Sequence, residues 1–302
     1  MTTRDPPSPS GLPQALGAYI LWGFMPLYLL LVRQVPAFEF VGWRIVWTLP
    51  VCLLIVAFRG QFPAIREALS NWRALLILTA SAVLIAVNWV VYVWAIQQNF
   101  VYAASLGYYI NPLVNVLLGT LLLKEKLSRA QWIAVGLAGI GIAVLAAGAL
   151  TTLWISLTLA LSFGTYGLLR KQVEVGALPG LTIESAILLL PALGVAAWFA
   201  ASPQGSSFDD SLGLSLAIML GGAFTAFPLL MFAIAARRMD YSTLGFFQFL
   251  APSIVFILGL TVFGEELHPA QAFCFGCIWI AAAIFVWDLW ARRRAAKPTP
   301  VS

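Results

Sequence analysis

Arg44 is the first residue of this sequence that asks for chemistry, a guanidinium within the run Val41-Gly42-Trp43-Arg44-Ile45-Val46-Trp47. If the run is a helix, the cation lies about six residues, or about 9 Å, inside its outer end. A guanidinium costs roughly 2.5–3.5 kcal/mol at a bilayer centre and less near its edge. Arg44 therefore either binds an anion or carboxylate, or snorkels to the interface and pairs structurally. Glu39 is five positions away, about 140° round a helix, and is a poor direct partner.

Amides and aromatics come next. Tyr108, Asn111 and Asn115 stand at i, i+3 and i+7, one face of a helix. Pro112 in the same turn has no N–H for the carbonyl four residues earlier, at Tyr108. This predicts a discontinuous helix that exposes backbone groups beside amide side chains, a recurrent transporter binding element. The alternative is an ordinary proline kink whose asparagines bond neighbouring helices. Gln248 and Pro252 form a similar pair later in the chain. Asn88 and Tyr92 share a face at i, i+4, and with Trp22, Trp89, Tyr19 and Tyr28 they could line an aromatic cavity for a flat or amphipathic solute. Any one tryptophan is otherwise plain packing.

Glu39 and Glu184 are the only obvious candidates for proton coupling, and each is expected near the start of its helix. A carboxylate also simply favours a helix N-terminus, and Glu125 and Glu265 share that reading. Ser128-x-x-Gln131 is a capping box, and His268-Pro269 starts a helix with proline first, which leaves the single histidine in a loop. No metal site is expected: Cys274-x-x-Cys277 lies in an apolar run without histidines, so these thiols and Cys52 are read as packing. No cofactor is expected either.

The elements that must position these residues follow from composition. Of 302 residues, 61% are apolar and 10% charged, against roughly 45–50% and 25% in a soluble domain. That excludes a soluble enzyme, a disordered regulator and a disulfide-rich module, and makes the lipid bilayer the chain's solvent. Ten apolar runs are long enough to cross it: 13–32, 38–58, 73–96, 101–123, 130–149, 151–169, 180–201, 212–236, 242–263 and 270–290. No extramembrane domain fits in the remainder.

Of 17 Lys and Arg, all but Arg33 and Arg44 fall at alternate ends of these runs. They include Arg59, Arg66, Lys124, Lys126, Arg170, Lys171, Arg237, Arg238 and the Arg292–Arg294 cluster. By the positive-inside rule both termini are cytoplasmic. The net charge of +5 then records sidedness, and no nucleic-acid partner is implied.

The chain also repeats itself. Ser105-Leu106-Gly107 matches Thr243-Leu244-Gly245, and Pro112, Gly119, Glu125, Leu127 and Gln131 match Pro252, Gly259, Glu265, Leu267 and Gln271. The fourth run thus corresponds to the ninth. Five is odd, so equivalent helices run in opposite directions, which is an inverted-topology repeat. The expected architecture is an all-α integral membrane protein of ten transmembrane helices. Its repeats span 12–149 and 150–291, between a disordered tail (1–11) and a basic tail (292–302), both cytoplasmic.

Several strings add a resemblance. Trp22-Gly23-x-x-Pro26-x-Tyr28, Trp43-Arg44-Ile45-Val46-Trp47, Asn88-Trp89, Ser105-Leu106-Gly107-Tyr108-Tyr109-Ile110-Asn111-Pro112 and Thr243-Leu244-Gly245-Phe246-Phe247-Gln248 resemble the RarD branch of the EamA-type transporters. That family lies in the drug/metabolite transporter superfamily, and the resemblance covers about residues 12–290. It implies a ten-helix fold in a bacterial inner membrane and a small-molecule permease linked to chloramphenicol sensitivity. At Trp43 the chain departs from the pattern, which has histidine before the arginine, so a titrating role is lost there.

The expected function is therefore a secondary transporter, an exporter of small metabolites or drugs such as amphenicol- or amino-acid-like solutes. The alternatives are a lipid-head-group flippase on the same scaffold and an intramembrane enzyme. The enzyme reading lacks a nucleophile–base pair or metal cluster at depth.

Overall fold

A computed structural model describes residues 11–203 and 205–295, except the side chains of 293 and 295. The described chain is helical: α1 (Leu12–Leu29), α2 (Ala37–Arg59), α3 (Phe62–Ser70), α4 (Trp72–Gln97), α5 (Val101–Leu121), α6 (Arg129–Ala147), α7 (Leu153–Gln172), α8 (Ala177–Ala200), α9 (Leu212–Arg238), α10 (Tyr241–Phe247), α11 (Leu250–Thr261) and α12 (Pro269–Ala295). Ten of the resulting spans are long and apolar enough to cross a membrane, with α10 and α11 together making the ninth. The protein is a multi-pass membrane protein. The tail expected at 1–11 and the chain beyond 295 lie almost wholly outside the described residues.

Local signals set most helix ends. Ser128 and Gln131 form the expected capping box, with bonds of 2.9 and 3.0 Å. Asn71 accepts from Arg73 and Ala74 to start α4, and Ser211 from Leu214 to start α9. Pro269 opens α12 behind an exposed His268. Gly60, at φ 63°, closes α2 in the left-handed conformation that glycine adopts at little cost. The short helix α3 was not foreseen. It carries exposed Phe62 and Leu69 beside Arg66 and Glu67, the mixed face of a segment at a membrane surface.

The proline break falls in the ninth span, not the fourth. α5 runs unbroken through Pro112, whereas the ninth span is interrupted at Gln248-Phe249. There the bonds tighten: the Gln248 N–H donates to Leu244 and Gly245, and Ala251 donates to Gln248 at 3.2 Å. Pro252 is the third residue of α11, a place whose N–H has no partner within the helix anyway.

The main neighbours pair early spans with late ones. The first span lies on the eighth and ninth, the second on the seventh and eighth, and the third on the sixth and seventh. The fourth lies on the sixth and ninth, and the fifth on the tenth. Moving every member five places along the chain turns this set into itself, while the sixth span also lies on the eighth, a contact with no counterpart of like extent between the first and third. The ends of the fourth and ninth spans also share a turn. Lys124 and Gly264 both have positive φ, and the N–H groups of Glu125 and Glu265 bond back to Gly119 and Gly259 at 3.0 and 2.9 Å.

Close helix approach relies on small residues, as is usual in lipid. Any Cβ at Gly222 would overlap the Trp47 backbone where α9 crosses α2. Gly222→Val should therefore cost about 1–3 kcal/mol or more through overpacking. It should lower the melting temperature in detergent, while Gly136→Ala, with nothing near its Cβ, leaves it unchanged.

Candidate functional site

A cavity of about 430 Å³ opens among seven spans. It reaches from the middle of the bundle to Leu29, Ala37 and Ile96, at the ends of α1, α2 and α4 where Arg33 is the one basic residue of the connections. Trp22, Arg44, Asn88, Tyr92, Tyr108, Asn111, Gln248 and Pro252 all line it, as do Tyr19 and Trp89. Sequence reasoning missed Tyr109, Phe163 and Thr225. Phe163 carried no signal, because a phenylalanine in an apolar helix looks like packing until its neighbours are placed.

Arg44 sits seven residues into α2, about 10 Å, with its guanidinium carbon 4.6 Å from the centre of the Trp89 ring. Among the described residues it makes no ion pair, and its Nε has no hydrogen-bond partner. Asn111, on α5, is buried against the same cavity, and its Oδ1 likewise has no partner among the described residues. One cation and one amide thus stand in a chamber of aromatic rings, with Tyr92 edge-on to Tyr108 at 5.6 Å. A buried donor or acceptor left unpaired is costly, so both groups suit a polar solute atom.

Other candidates turn out to be structural. Asn88 donates to the Leu159 carbonyl at 2.9 Å and to Ser162 at 3.1 Å, so this cavity-lining amide also ties α4 to α7. Asn115 does not line the cavity. It donates to Gln248 at 2.6 Å and accepts from Tyr241 at 3.0 Å, joining α5 to the broken span. Asn115→Leu leaves Gln248 Oε1 without its donor, while Tyr241 keeps its bond to the Gly164 carbonyl, and should cost about 1–3 kcal/mol, read as a lower melting temperature. Pro112 is buried within α5 and also stays outside the cavity. Tyr28 donates to the Ala217 carbonyl at 2.8 Å and stacks on Phe224.

The carboxylates also find partners, although Glu39 Oε2 and Glu184 Oε2 have none among the described residues. Glu39 accepts from Ser206 at 2.5 Å, from the Ser207 N–H at 2.9 Å and from Trp43 at 3.3 Å. It pins the loop before α9 to the start of α2 and, among the described residues, makes no ion pair with Arg44. Glu125 does not serve the fifth span it precedes. It caps the ninth instead, accepting from the N–H groups of Tyr241 at 2.6 Å and Ser242 at 2.8 Å and from the Ser242 hydroxyl at 2.7 Å. Glu184 is not at a helix start, because α8 begins at Ala177, two turns earlier. It lies buried beside Arg170, a second buried guanidinium that sequence position alone had put with the loop charges.

Below the cavity the bundle is closed. Phe163 packs on Phe232, Tyr19 donates to the Leu244 carbonyl, and Tyr241 donates to the Gly164 carbonyl. At the basic ends Lys171 donates to the carbonyls of Ala236 and Met239, and Arg237 to those of Val173 and Val175. The geometry is that of a chamber open on one side and sealed on the other.

Comparison with known proteins gives the family of the chain. Residues 9–147 match the EamA-like transporter family. The chain is 43% identical to an uncharacterized transporter of Pseudomonas aeruginosa over 94% of its own length and 95% of the relative's. It is 41% identical to the protein RarD of Streptomyces exfoliatus, over 96% and 94%. The chain belongs to the RarD group of the EamA-like transporter family. A solved structure only 19% identical superposes with a TM-score of 0.72 over 94% of this chain and 98% of that one, which supports the fold alone. In this RarD-group member, the strings that carried the resemblance supply Trp22, Arg44, Asn88, Tyr108, Asn111 and Gln248 to one cavity.

Proposed function

We propose that this protein is a secondary transporter of small aromatic solutes that carry an anionic or strongly accepting group, and that it works by alternating access. Amino-acid-like and amphenicol-like compounds are the expected class, and the direction is export. The observation that carries this reading is that the unpaired Arg44 guanidinium and the unpartnered Asn111 amide line one aromatic chamber. Arg44 would hold the acceptor group, Asn111 a donor on the solute, and the Trp22, Trp89, Tyr92 and Tyr108 rings its flat body. We place the protein in a bacterial inner membrane with the basic side cytoplasmic, following the distribution of Lys and Arg. The cavity then faces outward. No step of bond making is assigned to it, so the reading is a carrier and not an enzyme.

The two-repeat reading rests on the matching sequence strings, the neighbour set that maps onto itself, and the shared turns at Glu125 and Glu265. The same turns suggest how access alternates. Glu125 latches the N-terminus of α10 on the closed side. Glu265 is exposed and makes no such bond among the described residues, and the N-terminus of α5 has no side-chain cap. In the inward-facing state Glu265 would cap α5 while Glu125 lets go of α10.

A thermal-shift screen of the purified protein tests the substrate class. Aromatic carboxylates should stabilise it, as any ligand selective for the folded state must. Nucleosides and sugars should not. Stabilisation by phospholipid head groups alone would favour the flippase.

A further inference from the structure

Arg170 and Glu184 lie outside the cavity, where α4, α7 and α8 meet, and nothing in the transport reading uses them. Both are almost fully buried, at 0% and 2% exposure. They approach to 3.6 Å, beyond a good hydrogen bond. Ser81 donates to Glu184 Oε1, and Arg170 Nη2 donates to the Ala177 carbonyl at 2.7 Å. Among the described residues, Glu184 Oε2, Arg170 Nε and Nη1 and the Tyr166 hydroxyl have no partner. Gly180 leaves the room the guanidinium occupies, since a Cβ there would overlap it.

Glu184 also lines a second, small cavity of about 10 Å³, together with Thr48, Trp89, Tyr166, Ser185 and Leu229. Trp89 and Leu229 line the large cavity as well, so a single layer of side chains separates the carboxylate from it. Glu184 also sits seven residues into α8, the depth at which Arg44 sits in α2, but it approaches from the opposite side. When the bundle inverts, the cytoplasmic chamber would open towards Glu184 as the present one opens towards Arg44.

We propose that Glu184 is a proton-binding site whose occupancy is coupled to the cavity, which makes the protein a proton-coupled carrier. This deepens the transport reading and rests on it. A metal ion is excluded by the chemistry: one carboxylate cannot supply the six or more oxygens a hard cation takes, and the Arg170 guanidinium repels it. A proton needs only the one oxygen. It comes from water on the side to which the site is open and returns to water on the other.

The groups that face Glu184 set its response. Arg170 and Tyr166 come from α7 and Cys52 from α2, while α4 adds the uncharged Ser81 hydroxyl. The nearest charge of α9, Arg237, is held on the Val173 and Val175 carbonyls, and Arg66 and Glu67 of α3 are exposed.

Infrared spectroscopy of the full chain in liposomes tests the site without any solute. A carboxylic C=O band should rise as pH falls, persist in Glu39→Gln and vanish in Glu184→Gln. A titration unchanged in Glu184→Gln overturns the proposal. Should that variant fail to fold, Ser81→Ala removes a hydrogen bond to the charged form and should move the midpoint up by about one pH unit. No movement overturns it equally. Coupling is read with labelled L-phenylalanine: a pH gradient should drive its accumulation by the wild type and not by Glu184→Gln, which keeps gradient-free exchange. Gradient-driven accumulation by Glu184→Gln would also overturn it. Absence of any wild-type exchange, with the infrared titration intact, would sink the transport reading and leave the proton site standing.

Discussion

Arg44→Met should weaken binding of an aromatic carboxylate such as phenylacetate by roughly 150-fold, about 3 kcal/mol, while the protein still folds and inserts. The size follows from losing a charge-assisted hydrogen bond in a chamber walled mostly by rings. Folding should survive because Arg44 holds no ion pair among the described residues and its guanidinium lies over the Trp89 ring. Arg44→Lys keeps the charge but loses the planar fork, so it should recover part of the affinity. Titration calorimetry in detergent measures both variants. Wild-type affinity in Arg44→Met would remove the residue from the site.

The second large effect concerns the closed side. Glu125 satisfies two backbone N–H groups and one hydroxyl at the start of α10, each a bond to a charged acceptor. Glu125→Ala should shift the balance towards the open cytoplasmic state by about 2 kcal/mol, or roughly 30-fold. Ala236 is fully buried on that side, so an Ala236→Cys reporter without Cys52, Cys274 and Cys277 reads the shift. Its reactivity to a membrane-impermeant thiol reagent from the cytoplasmic side should rise in Glu125→Ala and fall in Glu265→Ala. Unchanged labelling in both would mean that these carboxylates are turn furniture and not latches.

The fold was almost wholly legible because lipid as solvent imposes one rule, a length of apolar helix, on every span. The predicted run 38–58 and the observed Ala37–Arg59 differ by one residue at each end, and the other nine spans agree to within three residues at either end. Capping chemistry at Ser128 and Pro269 was legible for the same reason, being local. The site was legible only in part. Trp22, Arg44, Tyr108 and Asn111 converge on one cavity, since polar groups inside a bundle must face inward.

What stayed hidden depends on contacts between distant parts of the chain. Asn115 and Asn111 share a helix face by spacing, yet one reaches Gln248 and the other the cavity. Proline alone does not say which of two equivalent helices breaks, because α5 keeps its path where its neighbours pack on it and the ninth span turns at Gln248. Arg170 looked like a loop charge because α7 was expected to end at residue 169, three residues short of its observed end at Gln172.

The most direct test is counterflow in proteoliposomes. Vesicles loaded with unlabelled L-phenylalanine should take up the labelled solute faster than empty ones, with a transient overshoot, and Arg44→Met should abolish both. Uptake that is unaffected by the solute inside, or equal in Arg44→Met, would contradict a carrier that alternates around the Arg44 cavity.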